Sequence, residues 1–207
     1  PSEPTSSLPD KVIRNVPASA AAAPGEPRPL PLPRLEAPLD DRAALERREA
    51  ELVAATLRTT VDASRLQLRE IHALLPSALT RKVRPHSGVV EALMAAHGRG
   101  FSLAVLSDFE PSEKLEGLGL ARLPWSAALG CDSLGALKPH ARGFVELARR
   151  LDVDPCEVVH IGDREELDVA GATAAGMRAW RFSQKPVATT AAEHVFARWS
   201  AALFSPS

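Results

Sequence analysis

The sequence is short of cysteine, of net charge and of long apolar runs, and each shortage excludes a class of protein. Only two cysteines occur in 207 residues, too few for the disulfide framework of a small secreted domain. Cys131 and Cys156 have apolar neighbours, which predicts buried thiols in a reducing compartment and a cytoplasmic protein. The formal net charge of -1 gives no electrostatic reason to expect a nucleic acid or an anionic membrane as partner.

The sequence also shows no pattern typical of a membrane-spanning helix or of a signal peptide. No apolar run is long enough to cross a bilayer. The alanine run at 20–23 is too short, and too close to proline, to be the core of a signal peptide. The chain starts at Pro1 without an initiator methionine, as expected of a processed or truncated product or of part of a gene.

The remaining composition fits one globular domain with a tail, because 45% of the residues are hydrophobic. Residues 1–38 hold ten of the eighteen prolines, which predicts a disordered or linker segment. Residues 39–84 show charged, arginine-rich helical patterns and are predicted to form a small helical subdomain. Residues 85–207 alternate strands with helices, which predicts an α/β fold with a parallel sheet covered on both faces.

Hydrophobic periodicity predicts the individual elements. In the helical part, Asp40 or Asp41 caps a first helix, and a second helix covers residues 63–75. In the α/β part, helices are predicted over residues 89–97, 139–151 and 190–203, and strands over residues 101–106, 126–129, 157–161 and 178–182.

The most informative motif is an apolar strand that ends in Gly162-Asp163, with Asp168 five residues further on. Open parallel sheets keep their ligand crevice at the carboxyl ends of the strands, so both carboxylates are expected there. Mg²⁺ keeps several waters and takes few protein oxygens, and this pair therefore predicts a Mg²⁺ site. Taken alone, the two aspartates are equally compatible with helix caps in solvent.

Two further positions carry groups suited to phosphate. Strand 101–106 is followed by Ser107-Asp108, and a small hydroxyl there can donate to a phosphate oxygen, although a turn or helix cap explains a single serine as well. Lys138 precedes Pro139 at a helix start. It is either a solvated charge or an ammonium that neutralises a carboxylate and a bound phosphate in the crevice.

In this order, Ser107, Lys138-Pro139 and Gly162-Asp163 with Asp168 resemble the motifs of the haloacid dehalogenase-like (HAD) hydrolase superfamily, in its members with an early helical cap. The similarity covers residues 85–182 closely and residues 39–75 loosely. It implies a three-layer, Rossmann-like parallel sheet with a small cap. It also implies roles for five residues: catalysis by Lys138 and Ser107, phosphate binding by Ser107, Asp108 and Lys138, and Mg²⁺ binding by Asp163 and Asp168.

The chain departs from this family pattern at two positions, and two alternative functions fit its motifs less well. Arg164 and Leu167 stand where members often have serine and asparagine, so fewer supporting hydrogen bonds are expected around the metal. In receiver domains the lysine comes closer to the hydroxyl residue, whereas Lys138 lies 31 positions after Ser107. Dehalogenases that cleave carbon–halogen bonds need no Mg²⁺, and the acidic pair argues against that chemistry.

The resemblance also implies an Asp-x-Asp nucleophile motif at the end of the central first strand, and none occurs at a matching position. The only Asp-x-Asp, at residues 152–154, precedes a predicted strand and is better explained as a helix-to-strand turn. Residues 12–16 can fill the central position, but Arg14 and Asn15 suit a buried strand poorly. We therefore expect the first strand either to precede Pro1 or to be replaced by a divergent segment that lacks the Asp-x-Asp nucleophile motif.

The expected function is Mg²⁺-dependent hydrolysis of a small phosphomonoester, in a chain that lacks its nucleophile segment. The alternative is a catalytically inactive HAD-like module that binds a ligand or an interaction partner. The expected partner is a small phosphorylated metabolite, without nucleic acid or membrane, and a homo-oligomer is compatible with the sequence. His160, Trp180 and Trp199 are expected to be core residues.

Overall fold

The structure is a computed structural model that describes residues 11–14, 39–80 and 83–205. Its centre is a six-stranded sheet in the order β3-β2-β1-β4-β5-β6, in which every neighbouring pair is parallel. The strands are β1 (Lys11–Arg14), β2 (Ser102–Ser107), β3 (Trp125–Gly130), β4 (Val158–Gly162), β5 (Arg178–Phe182) and β6 (His194–Phe196).

Helices cover both faces of the sheet, as the sequence predicts for a three-layer α/β fold. One face packs on a cluster that includes Leu106, Phe144 and Val169, and the other on a cluster that includes Leu103 and Trp199. Leu103 and Leu106 point to opposite faces because side chains alternate along a strand. The helices are α1 (Arg42–Leu57), α2 (Val61–Thr80), α3 (Val89–Gly98), α4 (Ser112–Gly117), α5 (Ala141–Leu151) and α6 (Ala170–Ala174).

The central position of the sheet is occupied by β1, which pairs with β2 on one side and β4 on the other. Of the two alternatives for the first strand, the structure therefore has the divergent segment in place. No aspartate follows β1 in the sequence until Asp40. The rest of segment 1–38 lies outside the described residues, so its assignment as a linker stays a prediction.

The predicted cap-like subdomain is a pair of packed helices, α1 and α2. Asp41 caps α1, as predicted, because its side chain accepts a hydrogen bond from the Ala44 backbone at 2.9 Å. The pair begins where Leu39 N–H donates to the Gly135 carbonyl at 2.9 Å, just beyond the carboxyl end of β3. α2 also packs against α4. The helices thus lie beside the edge of the sheet that is expected to bind ligand, although the boundary at residues 84 and 85 stays a prediction.

Two sequence predictions about the fold are wrong. Residues 190–203 form no long helix: they contain β6 and the start of a 3-10 helix, Ala201–Phe204. β6 forms instead because it supplies the β5 edge with backbone partners, including Ser183 N–H to the Phe196 carbonyl at 2.9 Å. Cys156 is exposed in a short turn, whereas Cys131 is buried as predicted; both are free thiols.

Several smaller expectations are confirmed. The misplaced Asp-x-Asp is a helix-to-strand turn: Asp152 follows α5 in a left-handed conformation (φ 56°), and the Asp154 backbone N–H donates to Glu157 at 2.9 Å. His160 and Trp199 are core residues, exposed by 1% and 6%. Within residues 11–14, 39–80 and 83–205, no helix is long and apolar enough to cross a membrane.

Candidate active site

A buried ion pair joins two of the three sequence motifs at the carboxyl edge of the sheet. Lys138 Nζ lies 2.7 Å from Asp168 Oδ1, and the two residues are only 9% and 0% exposed. Lys138 precedes α5, and Asp168 lies in a π-helical turn, Glu165–Val169, directly after the end of β4. Of the two explanations for Lys138, a solvated surface charge is therefore wrong.

Asp168 uses both carboxylate oxygens within the protein. Oδ2 accepts the backbone N–H groups of Asp163 at 3.2 Å and Arg164 at 3.0 Å, while Oδ1 contacts Lys138 and lies 3.6 Å from His160 Nε2. Burial would raise the pKa of Asp168, but the His160 contact and the Lys138 charge outweigh it and hold that pKa below its usual range. Asp168 therefore fixes the turn that carries Asp163, and its predicted role as a metal ligand stays a prediction.

The Asp163 carboxyl group is half-buried just beyond the end of β4. Burial raises its pKa, and the negative charge of Asp168 raises it further. No group of three or more histidine, cysteine, aspartate or glutamate side chains within the described ranges could hold a metal ion. Asp163 alone still fits Mg²⁺, which binds through one or two carboxylates and completes its shell with water and phosphate. Leu167 is buried and has no polar side-chain group to support that shell.

Ser107 and Asp108, at the end of β2, make different kinds of contact. Ser107 is 4% exposed, and its Oγ accepts a hydrogen bond from Lys114 Nζ at 2.9 Å. The Asp108 carboxylate accepts the backbone N–H of Lys138 at 2.9 Å, and its carbonyl accepts the Asp132 N–H at 2.9 Å. Asp108 thus ties β2 to the Lys138 loop. Its role in phosphate binding stays a prediction. The negative charge of the carboxylate argues against that role, because it repels phosphate.

Sequence reasoning missed two residues next to the predicted site. Lys114 lies on α4, a helix that the pattern does not predict, seven positions after Ser107. Glu165 accepts hydrogen bonds from Arg181 Nη1 at 2.8 Å, Thr190 Oγ1 at 2.6 Å and the Ala191 backbone at 2.8 Å. Glu165 thereby anchors the turn after Asp163 to the segment around β5 and β6. In the sequence, the only indication that Lys114 and Glu165 lie near the site is that each follows a site motif, Ser107-Asp108 and Gly162-Asp163 respectively.

Gly162 lets the end of β4 approach Asp168 closely, and we expect alanine there to be destabilising. An added Cβ would overlap the Asp168 side chain, and overpacking of this kind costs about 1–3 kcal/mol. The control is Gly98→Ala at the end of α3, where nothing lies within 4 Å of an added Cβ and where a higher helix propensity favours stability. Equal urea midpoints for the two variants would contradict the close packing.

Comparison with known proteins supports the resemblance in sequence. The haloacid dehalogenase-like hydrolase family model matches residues 18–176. The chain is 35% identical over 98 residues to a glyceraldehyde 3-phosphate phosphatase of Methanopyrus kandleri, covering 46% of this chain and 42% of that protein. It is 40% identical over 93 residues to a phosphoserine phosphatase of Thermus thermophilus, covering 43% and 37%. The matched regions thus span less than half of these curated relatives.

Solved structures show the same fold. A HAD phosphatase from Thermococcus onnurineus aligns with a TM-score of 0.57 at 17% identity, covering 93% of this chain and 95% of that one. A 2-haloacid dehalogenase from Pseudomonas syringae aligns with a TM-score of 0.55 at 25% identity, covering 75% and 66%. With the family match over residues 18–176, these findings establish that the chain belongs to the haloacid dehalogenase-like hydrolase family.

Proposed function

We propose that this protein has the substrate site of a phosphomonoester hydrolase, in which the phosphoryl group of a small phosphomonoester binds at the carboxyl edge of the sheet. The observation that carries the proposal is the buried Lys138–Asp168 pair next to Asp163 and on the same sheet edge as Ser107. A lysine held in place by a buried carboxylate supplies a fixed positive charge, and the Ser107 hydroxyl supplies a hydrogen-bond donor. Together they suit an anion with several acceptor oxygens.

The size of the substrate is suggested by the curated relatives. Their names refer to glyceraldehyde 3-phosphate and phosphoserine, and both compounds are three-carbon phosphomonoesters of a primary alcohol. We therefore propose a phosphorylated metabolite of about this size as the ligand. Helices α1 and α2, which adjoin this edge, would cover the organic part of the substrate.

Asp163 is the residue that would hold Mg²⁺ in this proposal. When bound, the ion would supply positive charge to the phosphoryl oxygens. The protein's own groups orient the phosphate: Ser107 donates a hydrogen bond to it, and Lys138 offsets its charge. Asp168 holds the Lys138 ammonium group and the turn that carries Asp163 in place, while Asp108 fixes the backbone of Lys138.

A second candidate is a HAD-like module that binds phosphate esters without hydrolysing them. It is favoured by one sequence observation: between β1 and Asp40 there is no aspartate to attack phosphorus. Both candidates share the same binding site, so they differ in turnover and not in affinity. For the chain as it stands, we propose binding without measurable release of phosphate.

The experiment combines calorimetric titration of tungstate, a phosphate analogue, with assays of phosphate release from glyceraldehyde 3-phosphate and phosphoserine. We expect Ser107→Ala to weaken tungstate binding roughly tenfold or more, because a hydrogen bond to a charged group is lost. The control is Ser102→Ala at the opposite end of the same strand, which should bind as the unaltered protein does. Absence of tungstate binding, or an equal effect of the two serine variants, would refute the proposed site.

A further inference from the structure

Lys114 is a half-buried ammonium group that has no counter-ion in contact among residues 11–14, 39–80 and 83–205. Its Nζ donates to Ser107 Oγ at 2.9 Å, and no carboxylate of the described residues lies within 4.0 Å of it. By contrast, Lys138 Nζ has a carboxylate partner, Asp168 Oδ1, at 2.7 Å. A partly desolvated charge is costly unless it is paired, so a missing partner at Lys114 requires a reason.

A second ammonium group, Lys138, acts on Lys114, and among the described residues the only carboxylate within 4.0 Å of either ammonium group is Asp168. Burial lowers the pKa of Lys114, and the positive charge of Lys138 lowers it further. Asp108 and Asp132 act in the opposite direction, but neither carboxylate lies within 4.0 Å of the Lys114 ammonium group, and each has another partner. Asp108 accepts the Lys138 backbone N–H, and Asp132 pairs with Arg42 at 3.3 Å. An anion bound beside Ser107 would compensate for the desolvation of the Lys114 charge and for its repulsion by Lys138.

The direction of the Lys114–Ser107 hydrogen bond also matters. An ammonium group has three donors and no acceptor, so Ser107 Oγ must accept from Lys114. The single hydroxyl hydrogen of Ser107 is then free to point away from Lys114, toward a ligand oxygen. Two donors of Lys114 also remain unused by this contact. Lys114 thus orients Ser107 as a donor and can itself reach the same anion.

We propose that Lys114 binds the phosphoryl group of the substrate together with Ser107 and Lys138, and that this second lysine makes the site selective for dianionic phosphomonoesters over monoanionic phosphodiesters. The inference rests on the proposed function, because it assigns a further residue to the same site. Two ammonium groups that both reach the phosphoryl oxygens attract a dianion more strongly than a monoanion.

The test is calorimetric titration of inorganic phosphate and of dimethyl phosphate at pH 8, where the first is mainly a dianion. We expect Lys114→Met to weaken phosphate binding roughly tenfold or more and dimethyl phosphate binding less, so that selectivity falls. Lys114→Arg should keep most of the affinity. Lys185→Met, at an exposed lysine, is the control and should change neither ligand. The thermal midpoint of ligand-free Lys114→Met should stay equal or rise, because an unpaired charge is removed.

The outcomes separate this inference from the proposed function. If Ser107→Ala weakens phosphate binding and Lys114→Met does not, Lys114 is no ligand and the function still stands. If the unaltered protein binds no phosphate, the proposed function itself fails. If Lys114→Met loses both stability and affinity, Lys114→Arg decides: retained phosphate affinity supports the inference, and an equal loss overturns it.

Discussion

Replacing Asn15 and Pro17 with aspartate is expected to give the chain a phosphatase activity well above that of the unaltered chain. β1 lies between β2 and β4, the place from which the HAD-like resemblance implies an Asp-x-Asp motif. The two positions follow β1 directly in the sequence, outside the described residues. A carboxylate nucleophile and a general acid would then be added to the existing site. We expect phosphate release from p-nitrophenyl phosphate to rise roughly 10²-fold or more, and only with Mg²⁺ present.

The matched control for this variant is Ala20→Asp/Ala22→Asp, which adds the same charges further from β1. It should stay inactive, because the carboxylates are then displaced from the strand end. Two results would contradict the prediction: hydrolysis by the unaltered chain at the rate of the Asn15/Pro17 variant, or equal activity of the displaced control. Either would mean that another group of the chain attacks phosphorus.

Lys138→Met is expected to destabilise the protein by about 3–5 kcal/mol, because removing one partner leaves a buried charge uncompensated. Asp168 would then lose the ammonium group that lies 2.7 Å away, while its backbone donors and the neutral His160 would remain nearby. The double variant Lys138→Met/Asp168→Asn should recover part of this loss, since an amide oxygen can still accept the backbone hydrogen bonds. The measurement is the free energy of unfolding in urea at pH 7. Lys185→Met, an exposed control, should stay within about 0.5 kcal/mol of the unaltered protein.

The pH dependence provides a second measurement of the same pair. The pKa of Asp168 is lower in the folded protein than the value of about 3.9 for an unfolded aspartate. Its contribution to stability is therefore fully present above that unfolded pKa and is lost as the pH falls toward the folded one. The unaltered protein should lose stability below about pH 4 more steeply than Lys138→Met does. Parallel pH profiles would show that the pair contributes nothing to folding.

The sequence by itself determined the main strands and the order of the site motifs. β2 and β4 are mainly apolar runs bounded by polar or turn residues, and this signal is local, so it can be recognised without any knowledge of tertiary contacts. Ser107 and Gly162-Asp163 could be placed at one edge for the same reason: the carboxyl ends of parallel strands share an edge of the sheet. The helix start at Pro139 likewise put Lys138 close to that edge.

Only the tertiary structure decided which segments complete the sheet and which side chains pair. β1 and β6 are short and polar or mixed, and they are strands because β2, β4 and β5 offer them unpaired backbone groups. Side-chain contacts between residues distant in sequence are also decided by the tertiary structure. Lys138 contacts Asp168, 30 positions away, and Glu165 contacts Ala191, 26 positions away. Such contacts depend on how the chain crosses over between strands, which no local pattern encodes. The same holds for Lys114: that no described carboxylate contacts its ammonium group becomes visible only in the tertiary structure.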